Sequence, residues 1–134
     1  KDALPQMARV AAATDVPVIA DESVATLADL ERVVEAKAAD GVNLKLAKSG
    51  GLLPALAVGE AAREHGLSVM VGGMVETRLG MSAMGQVAGA LGGVSFVDLD
   101  TAWLLARDPF AGGYRERGPR YELPDEPGLG LEPR

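Results

Sequence analysis

Four charged residues stand at the ends of runs that are otherwise apolar: Asp21, Lys45, Asp98 and Asp100. The runs are VPVIA (16–20), GVNLKLA (41–47), LSVMVGG (67–73) and VSFVDLD (94–100). Residues two apart in a β-strand face the same way, so Ile19 and Asp21 share a face, as do Asn43 and Lys45, and Asp98 and Asp100. Lys45 interrupts a segment that otherwise calls for burial. An unpaired buried ammonium is costly, so this lysine needs either a partner or a chemical task. Each charge also has a purely structural use. Asp21 could cap a following helix, with Glu22 in its first turn. Lys45 could pair with a neighbouring carboxylate. Asp98 and Asp100 could belong to a loop and a cap.

The segments between the runs carry a helical period. Leu27, Leu30, Val33 and Val34 form one apolar face, and Leu53, Leu56, Ala57 and Ala61 another, which stops at Gly66. Residues 77–90 form a third helix, rich in small residues that permit close packing. Continuous apolar strands alternating with helices predict a parallel sheet covered by helices, either half of a (β/α) barrel or an open doubly wound sheet. In both, ligands bind at the C-terminal edge of the strands, where the four charges fall. After Leu105 the pattern breaks. The remaining 29 residues hold five of the eight prolines and five of the 17 glycines, which predicts an extended or partly disordered tail.

The totals narrow the function classes. A chain of 134 residues with 48% hydrophobic content suits one ordinary domain, and its net charge of −6 argues against nucleic acid and anionic membrane as partners. The absence of cysteine leaves no disulfide framework or thiolate site and fits a reducing, cytoplasmic compartment. No apolar run approaches the roughly 20 residues of a membrane span. The single histidine, His65, falls at a predicted helix C-terminus, so no Ser/His/Asp arrangement is present. Trp103 and Met70, Met74, Met81 and Met84 are expected in the core. KSGG (48–51) resembles an anion-binding helix start but lacks the full phosphate-loop pattern.

In order, PVIADES, VNLKLAKSGG, VMVGGMVETRLG and VDLDTAWLLARDPFAGG resemble the enolase superfamily, in its muconate-lactonizing-enzyme subgroup, and most of all the dipeptide epimerases. The resemblance covers nearly the whole chain. The 24-residue separation of Asp21 from Lys45, and DLD followed by DPF and GG, carry most of it. It implies the C-terminal half of an enolase-type modified (β/α)7β barrel, with residues 1–105 as strands five to eight. Residues 106–134 would be a tail packing on a capping domain.

The resemblance also implies roles. Asp21 matches the strand-five carboxylate ligand of Mg²⁺, and Lys45 matches the strand-six acid/base lysine. Asp98 and Asp100 match the pair that binds the ammonium of a dipeptide substrate, while Glu22 and Glu76 are expected behind the reacting groups. A hard cation on the substrate carboxylate stabilises the enediolate formed when the α-proton leaves, and epimerisation needs a base on one face and an acid on the other. The family's second lysine, its other metal ligands and its capping domain have no match in this chain. The expected partners are therefore a dipeptide, the N-terminal part of the same enzyme and a second copy. Alternatives are an o-succinylbenzoate synthase, an N-acylamino acid racemase, a cycloisomerase, or a non-catalytic half-barrel that binds a partner through its edges. The paired aspartates favour the epimerase, because those other substrates carry no free ammonium.

Overall fold

A computed structural model describes residues 3–134. Its centre is a four-stranded parallel sheet in sequential order: β1 (Ile19–Ala20), β2 (Gly41–Leu44), β3 (Ser68–Val71) and β4 (Phe96–Val97). The register pairs Ile19 with Gly41, Gly41 with Ser68, and Met70 with Phe96. All four residues of β2 are buried, which is why its sequence runs apolar without alternation. The strands are shorter than the apolar runs. β2 stops at Leu44 and β4 at Val97, so Lys45, Asp98 and Asp100 project from beyond the strand ends.

The helices are α1 (Leu4–Ala11), α2 (Leu27–Glu35), α3 (Leu46–Ser49), α4 (Leu52–Glu64) and α5 (Arg78–Leu91). Leu30 and Val33 of α2, Ala55, Val58 and Ala62 of α4, and Met81, Met84 and Val87 of α5 close over Ala20, Val42, Leu44, Val69 and Val71 of the sheet. Gly59 permits the close approach of α4 to α5: a Cβ there would lie 2.7 Å from Leu91 Cδ1. Thr26 caps α2 reciprocally with Asp29. Asp21 is therefore not the cap of that helix, and its carboxylate is left for other uses. His65 ends α4, with Nε2 3.3 Å from Glu31 Oε1.

The tail is extended, and its segments pair into short strands. β5 (Phe110–Gly112) pairs antiparallel with β8 (Leu131–Pro133), and β6 (Arg115–Arg117) with β7 (Arg120–Glu122). Tyr114, between β5 and β6, is fully buried and anchors the tail against α5. The prolines and glycines thus place short strands instead of preventing them. Met81 and Met84 are in the core as expected, but Met74 is 50% and Trp103 61% exposed. Trp103 instead donates its indole N–H to Glu116 Oε1 at 3.0 Å. β1 and β4 each have one sheet neighbour, and Phe96 and Val97 on β4 are exposed.

Candidate active site at the sheet edge

Asp21 follows β1 directly, where the two-residue ladder with β2 has ended. Its Oδ2 lies 2.8 Å from Lys45 Nζ and accepts from Asn43 Nδ2 at 3.1 Å. Its Oδ1 lies 2.6 Å from Lys48 Nζ. The Lys48 ammonium also donates to the Asp21 carbonyl at 2.6 Å and to the Asn43 carbonyl at 3.0 Å. An ammonium has three protons, and here each has an acceptor. Both lysine side chains are largely buried, while Asp21 keeps some contact with solvent. Burial pulls the Asp21 carboxyl upward, but the hydrogen bonds and charges of Lys45 and Lys48 outweigh it and hold the group below the usual carboxylate range.

Lys45 is extended and immediately precedes α3, whose single turn brings Lys48 back over the tips of β1 and β2. Asn43 is 6% exposed, and a Cβ at Gly72 would sit 2.9 Å from its Oδ1. That oxygen has no hydrogen-bond partner among the described residues. The amide orientation is nonetheless clear. Turning it over would put the oxygen against the Asp21 carboxylate, where only a donor is favourable.

Across the same edge, Asp98 and Asp100 flank the buried Leu99. Hydrogen bonds from Gly72 N to Leu44 O and from Asp98 N to Val71 O extend the ladders one residue past the strand ends. Burial raises the Asp98 carboxyl above its ordinary value, and the hydrogen bond and charge of Asp100 raise it further; the Lys45 charge acts in the opposite sense. The carboxylate pair and Lys45 are thus electrostatically in reach of one another. Glu22 is exposed in the turn after Asp21. Glu76 accepts from Met74 N at 3.1 Å and shapes the loop between β3 and α5.

The structure gathers Asp21 and Lys45 in direct contact and sets Asp98 and Asp100 on the same edge of the sheet. Asn43 was noted in the sequence only as sharing a face with Lys45, Lys48 only as the start of KSGG, and Tyr114 not at all. Lys48 had a signal: it stands three residues after Lys45 at a strand-to-helix junction, a spacing that puts both on one side of a helical turn. A hard divalent cation fits Asp21 as one of its oxygen ligands, since the group is ionised and partly open to solvent. The described residues contain no group of three Asp, Glu, His or Cys side chains able to hold a metal, so the remaining ligands are not among them.

A parallel sheet covered by helices, with opposite charges converging at the C-terminal edge of its strands, is the arrangement of an α/β domain whose ligands bind at that edge. The chain belongs to the enolase C-terminal domain-like family, whose model matches residues 1–134. It is 45% identical over 84% of its length to the L-Ala-D/L-amino acid epimerase of Populus trichocarpa, covering 27% of that protein. It is 37% identical over 98% of its length to the L-Ala-D/L-Glu epimerase of Bacillus subtilis, covering 36%. The substrate-liganded structure of the Bacillus subtilis epimerase superposes with a TM-score of 0.91 over 97% of this chain and 36% of that one. The dipeptide epimerase of Cytophaga hutchinsonii, complexed with Mg and D-Ala-L-Val, superposes with a TM-score of 0.87 at 35% identity, over 98% of this chain and 35% of that one. An N-succinyl-L-Arg/Lys racemase of Bacillus cereus also matches, at 32% identity over 98% of this chain and 35% of that protein. The chain therefore spans about a third of the length of the curated relatives it matches, and these relatives are racemases and epimerases.

Proposed function

We propose that this chain forms part of a Mg²⁺-dependent dipeptide epimerase, with residues 1–105 as strands five to eight of its barrel. The observation that carries the reading is the contact of Lys45 Nζ with Asp21 Oδ2 at 2.8 Å, on the sheet edge shared with Asp98 and Asp100. Asp21 would be one ligand of the cation, which when bound supplies positive charge to the substrate carboxylate and makes the α-proton more acidic. Lys45 takes or returns that proton at Nζ from one face of the α-carbon. Asp98 and Asp100 hold the dipeptide ammonium by charge and hydrogen bonding. The opposing acid/base group and the other metal ligands come from elsewhere in the longer enzyme, and the tail of residues 106–134 reaches its capping domain. The relatives' names and the paired aspartates support a dipeptide substrate. The Bacillus cereus relative supports an N-acylamino acid racemase as the second reading.

The test uses the intact enzyme in deuterated water, with L-Ala-L-Glu and N-succinyl-L-Arg as substrates. Deuterium is expected at the α-carbon of the dipeptide's C-terminal residue. Lys45→Ala should abolish epimerisation and leave exchange from one epimer only. Lys45→Arg should not restore it, because a guanidinium stays protonated at neutral pH. Near-normal epimerisation by the Arg variant would assign Lys45 to a structural ion pair. Exchange into N-succinyl-L-Arg alone would favour the racemase.

A further inference from the structure

Two carboxylates of like charge must be held beside each other to receive one ammonium, yet little of the sheet reaches them. β4 is two residues long, and its last ladder bond is from Asp98 N to Val71 O at 2.8 Å. On the far side, Trp103 N donates to Asp100 O at 2.9 Å and closes a single 3-10 turn. Between these points the Leu99 carbonyl accepts a hydrogen bond from the Tyr114 hydroxyl at 2.6 Å. Tyr114 comes from the tail, 15 residues further along.

Tyr114 is itself fixed from several directions. It is 0% exposed, its backbone N–H points to Ser82 Oγ, and the Arg78 guanidinium lies 4.6 Å from its ring centroid. Arg78 also donates to the Tyr114 and Gly112 carbonyls, and Tyr121 packs edge-on with ring centroids 5.6 Å apart. Burial pushes the Tyr114 hydroxyl up to about 12, so it remains a proton donor throughout the neutral range. Asp98 is raised first by burial, then by its hydrogen bond to Asp100 and by the charge of that neighbour, so the two carboxyl groups lie against each other and need a fixed backbone between them.

We propose that Tyr114 is a positioning residue for the substrate-ammonium site: its buried hydroxyl pins the Leu99 carbonyl and so fixes Asp98 and Asp100 toward the ligand. The inference rests on the reading of those two aspartates given above. It gives the tail a role in substrate affinity from within this chain. Leu99 is buried with 1% exposure while Asp98 and Asp100 on either side of it are not, and its backbone is held by the Tyr114 hydroxyl at the carbonyl, with Tyr121 also reaching it.

The experiment compares the intact enzyme with its Tyr114→Phe variant, which removes one hydroxyl and keeps the ring. Probes are L-Ala-L-Glu as substrate and N-acetyl-L-Ala-L-Glu, which lacks the ammonium, as competitor. Losing the anchor should raise KM for the dipeptide roughly 5-fold, with kcat changed less than about 2-fold and the inhibition constant of the acetyl compound unchanged. Equal weakening of both ligands, or an unchanged dipeptide KM, would overturn the proposal. Asp98→Asn is measured alongside. If it raises the dipeptide KM and Tyr114→Phe does not, the anchor alone is wrong. If neither variant affects it, the ammonium site itself is wrong. Should the Phe variant fail to fold, Tyr114→3-fluorotyrosine keeps the hydroxyl and makes it a stronger donor: a dipeptide KM at or below that of the parent enzyme supports the anchor, and a raised KM overturns it.

Discussion

Replacing Lys48 with methionine would remove an ammonium with three acceptors and leave a side chain of similar length. The three do not suffer equally. The Asp21 carbonyl keeps the Val24 N–H at 3.1 Å. The Asn43 carbonyl loses its contact at 3.0 Å, while Asp21 Oδ2, which Lys48 does not touch, keeps Lys45 and the Asn43 amide. Oδ1 loses the partner it had at 2.6 Å. A hydrogen bond to a charged group contributes about 1.5–3 kcal/mol, and breaking a fully buried ion pair costs about 3–5 kcal/mol. Asp21 is 30% exposed and retains a second lysine, so the loss belongs near the lower figures, at about 2 kcal/mol. That corresponds to roughly a 30-fold rise in the population of open strand tips.

Hydrogen exchange followed by mass spectrometry on the intact enzyme reads this directly, because a local opening exposes the amides at the tip without unfolding the core. Peptides spanning residues 19–25 should exchange roughly 30-fold faster at neutral pH, while those spanning 82–88 of α5 stay at the parent rate. Mg²⁺ affinity should fall about 10-fold or more, as when a group that orients a metal ligand is lost. Lys48→Arg should recover part of the protection, since one planar fork cannot reproduce three divergent donors. Acceleration below about 3-fold at residues 19–25, or equal acceleration over α5, would refute the clamp.

Gly72→Ala should push Asn43 off Asp21, because the new Cβ would sit 2.9 Å from Oδ1 and 3.2 Å from Nδ2 of a buried side chain. The expected loss is about 1–3 kcal/mol in thermal or denaturant melts, and Asn43→Ala in the same chain should relieve it. On acidification the two carboxylate sites should respond in sequence. Asp98 has a raised folded value, so it takes up its proton first, and KM for the dipeptide should rise while the Asp21 clamp is intact. Asp21 has a lowered folded value: its stabilising contribution is present above the ordinary carboxylate value of 3.8 and is lost only as pH falls through the lower folded one. Exchange at residues 19–25 measured down to pH 3 checks the second step; loss of protection before KM rises would reverse the assignment.

The parallel sheet was legible because four apolar runs recur between helical segments, although only β2 is buried along its whole length, β3 alternates and both residues of β4 are exposed. The three main helices followed from spacing in the same way. Strand ends were less legible. Val16 is 70% exposed although it opens an apolar run, because hydrophobicity marks what an extended approach can tolerate as well as what a ladder pairs. Asp21 and Lys45 stood out because a charge at the end of an apolar run has few places to go. Lys48 did not, since its surroundings read as helix and only three dimensions show it reaching back to the carbonyls of Asp21 and Asn43. The tail's extended course was legible in its composition, but its strand pairing was not. Its order depends on one buried tyrosine and an arginine from α5, and breaker content carries no information about such long-range contacts.

The structure also changes how the two sequence readings of Lys45 relate. A lysine paired with a carboxylate and a lysine that exchanges a proton looked like alternatives, and the pairing with Asp21 is present. Asp21, however, shares its charge balance between Lys45 and Lys48. Lys48 already occupies the other oxygen and is tied to two backbone carbonyls at the tips of β1 and β2. Lys45 touches the same carboxylate at Oδ2, an oxygen that Asn43 also serves. If Lys45 turns toward a substrate or gives up its proton, Asp21 still has a cation on one oxygen and an amide donor on the other. Before a cation is bound, a site with Lys45 as its only counter-ion would leave a partly buried carboxylate unpaired whenever that lysine turned away, which is costly. The second lysine removes that cost, and this division between a fixed ammonium and a releasable one is the physical reason to read KLAK as a working pair.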